Sequence, residues 1–301
     1  MAKRSIVHMI NPMVHNSPFD INMAVDAGYE VIVPYENIKL EEIYGLTQDA
    51  IFSRGPSGVK KTGMFIGGRD IGLAMDMLEQ AKKAMVPPFE ISVFADPSGA
   101  FTTAGALVAC VEKELKKNFN QELSGARAIV FGGTGPVGLA TAVIAAQQGA
   151  DTTIVDHFSI DTALEFAAEA KQRYGVELRA TAAASDADKA RLISNADLVF
   201  CTAKAGIQVL NASVLEDAKQ LKVAGDVNAV PPLGIEGIGI MDFGEPLTHA
   251  TNSQGAVAIG ALAVGNVKYQ LQQALLTETL EAEKPVYLDF RNAFDGAQKL
   301  V

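Results

Sequence analysis

Apolar runs and amphipathic stretches alternate along the whole chain. Ile6–Ile10 is a short apolar run bounded by polar residues and reads as a buried strand. Ser17-Pro18 opens a helical stretch that reaches Ala27 and stops at Gly28. Glu30–Pro34 reads as a second strand, with Ala50–Ser53 and Met64–Ile66 as short strand candidates. Asp70–Met85 has a helical period that puts Leu73, Met77 and Leu78 on one face, before a Pro87-Pro88 stop. Ile91–Ala95 predicts a strand and Thr103–Phe119 a long helix.

A polar stretch, Asn118–Gly125, then breaks the pattern. Beyond it come strands at Ala128–Phe131 and Thr152–Val155, and a helix Asp161–Tyr174 closed by Gly175. Strands follow at Leu198–Cys201 and Leu221–Gly225, then a small-residue helix from Gly255 to about Glu283. Val286–Phe290 and a last short helix end the chain. Strands alternating with helices predict mainly parallel sheets, an α/β fold. At 301 residues two domains are expected. The first runs over residues 1–123 and is completed by 268–301; the second covers 124–267.

Apolar residues make up 49% of the chain and charged ones 20%, enough for real cores. The net charge of −10, with only short pairs such as Lys60-Lys61, Lys82-Lys83 and Lys116-Lys117, argues against nucleic acid, which needs many cations on one surface. Cys110 and Cys201 lie inside apolar runs and read as reduced core residues, pointing to the cytoplasm. The apolar start is too short for a secretory signal, and no run is long enough to span a membrane. His8, His15, His157 and His249 show no metal-ligand spacing, so no metal site is expected.

The strongest local signal is Gly133-Thr134-Gly135-Pro136-Val137-Gly138. It follows a strand and opens a helix, and a second strand ends in an acid, Asp156, at 156 − 138 = 18 residues further on. Such a turn brings backbone amides and the positive end of a helix dipole to a dinucleotide's diphosphate, in a Rossmann-like domain. Asp156 would accept hydrogen bonds from the adenosine ribose and repel a 2′-phosphate, which favours NAD. His157 could sit near that phosphate and tolerate it, so NADP stays possible. The plainer reading of Asp156 is a helix-capping acid.

Loops at the carboxyl ends of strands are where substrate groups should gather. They offer Asp20, Thr102, Asp226 with Asn228, and Lys268. Each has a plainer reading: Asp20 and Thr102 as helix caps, Asp226 and Asn228 as braces of a turn before Pro231, Lys268 as a cation reaching solvent.

Taken together, Ser17-Pro18-Phe19-Asp20, the Asp96–Thr103 loop, the glycine turn at 133–138, the Asp226–Gly234 segment and Gly260–Lys268 resemble the methylene-tetrahydromethanopterin dehydrogenases of methylotrophic bacteria, in the NAD(P)-using branch. The resemblance covers essentially the whole chain. It implies oxidation of methylene-tetrahydromethanopterin to the methenyl cation by hydride transfer to NAD(P), within formaldehyde oxidation. It also implies a pterin cleft between two α/β domains and a homo-oligomer, with a trimer expected. Lys268 matches the lysine placed between pterin and nicotinamide, and Asp20 and Thr102 match pterin-pocket positions, with Asp226 grouped among substrate-binding residues. Asn228, Asp156 and His157 join the glycine turn as cofactor-binding residues. Strictly NADP-using relatives carry a glycine-arginine pair where this chain has Asp156-His157, a departure that supports NAD. The bifunctional folate relatives pair a tyrosine and a lysine for hydrolysis of the product; Tyr44 and Lys60, split by Gly55-Pro56, do not match, and no cyclohydrolase activity is expected. Competing readings are a methylene-tetrahydrofolate dehydrogenase without cyclohydrolase activity, a regulatory protein that only senses NAD, and a shikimate- or amino-acid-type dehydrogenase. The last would need an acid/base pair that the sequence does not offer.

Overall fold

The computed structural model describes residues 3–301. The strands, in chain order, are β1 Ile6–Ile10, β2 Val31–Tyr35, β3 Thr62–Ile66, β4 Ser92–Ala95, β5 Arg127–Phe131, β6 Asp151–Asp156, β7 Arg179–Ala182, β8 Leu198–Cys201, β9 Val223–Asp226, β10 Phe243–Pro246, β11 Val257–Ile259 and β12 Tyr287–Leu288. The chain divides into two compact units. One comprises Met1–Thr102 with Tyr269–Gly296; the other comprises Thr103–Lys268 with Ala297–Val301.

The first unit holds a five-stranded sheet in the order β2-β1-β3-β4-β12, every pair parallel. This is a doubly wound order, and its reversal lies between β1 and β3. The central strand β3 is buried along its whole length, as a parallel strand covered on both faces should be. Phe65 and Phe94 meet edge to face across β3 and β4, ring centroids 5.5 Å apart. The helix Ile71–Lys83 is capped by Asp70, whose carboxylate accepts from the Leu73 amide at 2.9 Å. The last strand, β12, pairs with β4, so the C-terminal segment completes this sheet.

The second unit holds a seven-stranded sheet. From β7 it runs β7-β6-β5-β8-β9-β11, the Rossmann order 3-2-1-4-5-6, with β10 added antiparallel at the far edge. The helix Pro136–Gln147 follows β5; its residues Gly138 to Ala145 are all buried, which fits its small, apolar sequence. Beyond Ser159, whose side chain accepts from the Thr162 amide, the helix Ile160–Tyr174 ends at left-handed Gly175 (φ 70°).

Two expectations need correcting. Ala50–Ser53 is not a strand; it ends the helix Ile43–Phe52, which buries Ile43, Thr47, Ala50 and Ile51, a helical repeat in which the apolar run is only one piece. The helix expected from Gly255 starts later, at Ala261, because Val257–Ile259 is drawn into the sheet as β11 beside β9. Strands β7, β10 and β11 are short and weakly patterned, and no sequence signal separated them from loops.

Among the described residues no helix is long and apolar enough to cross a membrane. Nor are three His, Cys, Asp or Glu side chains placed among them to hold a metal ion.

Candidate active site: the dinucleotide turn and the loops of the first unit

The glycine turn lies at the carboxyl end of β5, beside the reversal of strand order. Gly133 donates its amide to Val155 O (3.2 Å) and Gly135 donates to Gly132 O (3.0 Å), which folds the turn back on itself. Gly138 is demanded by the protein's own packing: a Cβ there would lie 2.2 Å from Gly132 O and 2.6 Å from Thr202 Oγ1. Gly135 is different. A Cβ there would meet nothing nearer than Gly132 O at 3.3 Å. That contact is tight but far milder than the clash at Gly138, and no other protein atom lies within 4 Å, which leaves room for a close-approaching ligand. Gly135 is also the N-cap of Pro136–Gln147 and offers no side-chain cap. Pro136 has no amide to satisfy, and the amides of the first turn, Val137 and Gly138 among them, stand at the positive end of the helix. A diphosphate fits this turn on both counts, shape and charge.

Asp156 ends β6 opposite the turn. Its Oδ1 accepts the amides of Phe158 and Ser159, both at 2.8 Å, and its Oδ2 accepts the Thr134 hydroxyl at 2.8 Å. Burial pushes this carboxyl up, but those three bonds and neighbouring His157 outweigh it and hold it below the usual carboxylate range. It is therefore ionised at neutral pH. His157 is exposed and packs edge-on to the Phe158 ring, centroids 4.1 Å apart.

Beside Asp156 opens a cavity of about 360 Å³, lined among others by Phe158, Lys189, Lys204, Ile207 and Gln208. That is the size of a small-ligand site, mostly apolar with a few polar groups. Its place beside Asp156 at the ends of β5 and β6 is where an adenosine would lie. Sequence reasoning missed these residues. Phe158, 84% exposed for so large a ring, sits directly after Asp156-His157, and that exposed aromatic beside the motif is the available signal.

Asp226 and Asn228 follow β9. Asp226 is 2% exposed, and its two oxygens accept the amides of Asn228 (2.9 Å) and Ile235 (3.0 Å). Burial raises its carboxyl above the usual range. Asn228 Oδ1 accepts from the amides of Gly206 and Val230, and its Nδ2 donates to Pro232 O. Through these bonds both side chains brace the 226–235 loop. Their bracing reading is the one the geometry supports. Lys268 lies half-buried on the helix Ala261–Glu281.

In the first unit, Thr102 is fully buried and donates its hydroxyl to Asp96 Oδ2 at 2.6 Å. The other oxygen of Asp96 accepts the amides of Phe101 (2.9 Å) and Thr102 (3.1 Å), so Asp96 anchors the start of Ala100–Phe119. The Thr102 hydroxyl is thus committed within the loop. The same loop holds Ser98 in the left-handed region at φ 53°, its hydroxyl donating to Gly68 O (2.7 Å). Backbone strain of this kind persists only where the surrounding structure holds it, here at the carboxyl end of β4. Asp20 is 6% exposed and accepts from Gln272 Nε2 at 2.7 Å. It is not the helix cap; Ser17 is, accepting from the Asp20 amide.

A family model described as "Methylene-tetrahydromethanopterin dehydrogenase, N-terminal" matches residues 18–98. Over 297 residues the chain is 46% identical to the NAD(P)-dependent methylenetetrahydromethanopterin dehydrogenase of Methylorubrum extorquens, covering 99% of each. The chain belongs to the methylenetetrahydromethanopterin dehydrogenase family. The family's N-terminal segment thus begins on the helix that bears Asp20 and ends at strained Ser98. Another relative, the Bifunctional protein MdtA of the same organism, is 31% identical over 271 residues, 90% of each chain. Among solved structures, quinate dehydrogenase from Corynebacterium glutamicum in complex with NAD aligns with TM-score 0.56 at 12% identity, over 98% of both chains. Shikimate 5-dehydrogenase from Listeria monocytogenes, in complex with shikimate and NAD, aligns with TM-score 0.52 at 12% identity, over 99% of this chain and 96% of the other. At that identity these two speak for the fold that the methylenetetrahydromethanopterin dehydrogenase family shares with them, and for nothing more.

Proposed function

We infer that this chain oxidises methylene-tetrahydromethanopterin to its methenyl cation and passes the hydride to NAD or NADP. The observation that carries this is 46% identity along essentially the whole chain to an enzyme named for that reaction. The glycine at 135, where only Gly132 O lies within 4 Å of a Cβ, supports the cofactor half.

The chemistry asks little of side-chain acids and bases. The reacting carbon sits between two nitrogens, and as the hydride leaves, a nitrogen lone pair forms the C=N bond of a delocalised cation. No proton is removed from carbon, so no general base is required. Bound NAD(P)+ supplies the ring that accepts the hydride. The chain's own contribution is to bind, orient and exclude water. The turn 133–138 grips the diphosphate through amides and helix dipole, and ionised Asp156 takes the adenosine ribose. Asn228 and Asp226 keep the 226–235 loop in shape. Asp20 is held in place by Gln272. We assign pterin binding to the first unit, whose Asp96 loop and Asp20 helix fall in the segment matched by the family's N-terminal model. Lys268 is assigned to orienting the pterin. Lys268→Ala should lower turnover at least tenfold while leaving NADH affinity within about twofold, a split between chemistry and cofactor binding.

The deciding assay is purified protein with methylene-tetrahydromethanopterin and NAD or NADP in parallel, followed by reduced-cofactor absorbance. Methylene-tetrahydrofolate should turn over far more slowly, and methenyl product should hydrolyse at the buffer rate. Parity between the two pterins would favour the folate reading. The resemblance further supports a homo-oligomer, a trimer as working assembly, which sedimentation equilibrium tests. The buried thiols Cys110 and Cys201 support a reducing compartment, the cytoplasm.

A further inference from the structure

Thr134 stands in the glycine turn next to the acid that ends β6. It occupies the variable position between the first two glycines of the turn, and its hydroxyl donates to Asp156 Oδ2 at 2.8 Å. An ionised carboxylate offers about four acceptor sites. The amides of Phe158 and Ser159 take both sites of Oδ1, and Thr134 takes one of Oδ2. One site is left for a ligand.

The adenosine ribose of NAD presents two adjacent hydroxyls. In NADP one is esterified by phosphate and one hydroxyl remains. A carboxylate with two free sites rewards NAD twice; a carboxylate with one rewards either cofactor once. The remaining discrimination is repulsion between Asp156 and the 2′-phosphate, and the cavity beside Asp156 carries opposing charge. Lys204 lines it and is exposed, and Lys189 lines it with its ammonium 3.1 Å from Asp186. His157 lines the same cavity.

We propose that Thr134 is the residue that sets cofactor breadth: by occupying one oxygen of Asp156 it lets the site take NADP alongside NAD. This rests on the cofactor reading above. Thr134 acts through Asp156 and is a positioning residue.

The test is calorimetric titration of NADH and NADPH into the full-length protein and its variants, with no turnover involved. Thr134→Val frees the second acceptor site, and the ratio of the NADPH to the NADH Kd should rise about tenfold, the worth of one hydrogen bond to a charged group. Thr134→Ser keeps the hydroxyl, and its ratio should stay within about twofold of the parent. Thr134→Ala repeats the first arm should valine crowd the turn. A ratio unmoved in both the Val and Ala variants, with both cofactors weakened equally, would mean the side chain only shapes the turn and overturns the proposal. A Ser variant that behaves like Val overturns it too. Parent protein that binds neither cofactor overturns the cofactor reading itself, an outcome distinct from an unmoved ratio.

Discussion

Gly135 and Gly138 stand three residues apart in one turn and answer to different demands. Gly138 makes room for Gly132 O and the Thr202 hydroxyl, both inside the protein. At Gly135 a Cβ would press on Gly132 O at 3.3 Å, a tight contact but not a clash. Gly138→Ala should therefore cost stability, by about 2 kcal/mol or more, because the obstruction is backbone that cannot swing aside. Gly135→Val should melt within a few degrees of the parent yet bind NADH at least tenfold more weakly. Thermal melts and cofactor titrations on the two variants, read side by side, check both. Asp156 adds a pH prediction. Its folded-state pKa is depressed, so its hydrogen bonds stabilise the fold above the unfolded carboxylate's ordinary value, about 3.9, and that contribution is lost as pH falls through the lower folded value. The group is partly open to solvent, so the effect is small. Urea titrations across acid pH should show the parent losing a little more stability than Asp156→Asn on the way down.

At the scale of elements, the Asp96 loop is the most exposed to a single change. One carboxylate satisfies two amides and a hydroxyl at the start of Ala100–Phe119, with no exposure to water. Asp96→Ala leaves those donors unpaired and should destabilise the protein by roughly 2–4 kcal/mol, read from chemical denaturation. Elements of this kind were only partly legible in the sequence. The long strands and helices were, since burial on one face writes a period of two or 3.6 into the residues, and the glycine turn was, since a strand–turn–helix with close backbone packing fixes where its glycines fall. The helix Asp186–Ile193 announces itself by Ser185 and Asp188, a reciprocal cap that the sequence carries plainly, yet its polar face hides the period. Short strands such as β11 owe their state to a neighbour, β9, more than thirty residues away, and nothing local encodes that. The site shows the same division. Thr134 and Asp156 could be named from spacing. Their hydrogen bond, the commitment of Thr102 to Asp96, and the partnership of Asp20 with Gln272 depend on side-chain directions fixed only by packing.

For the molecule as a whole, the two thiols report on one of its halves. Cys110 and Cys201 both belong to the second unit and both are buried. Burial pushes the Cys110 thiol up to about 12 and Cys201 well above its ordinary range, so neither is a thiolate near neutral pH. An aromatic disulfide reagent should label neither in the native protein. Labelling should begin with unfolding of the second unit, and added NADH should slow it by mass action.

The pairing of β12 with β4 joins residues about two hundred positions apart, with the main segment of the second unit, Thr103–Lys268, encoded between them. A ribosome delivers this chain from its N-terminus, so the sheet of the first unit waits, one strand short and with the β4 edge unpaired, while the inserted unit emerges and folds. Only synthesis of Tyr287–Leu288 ends that wait. Nascent chains arrested before Tyr287 should expose a protease-sensitive first half beside an already resistant second.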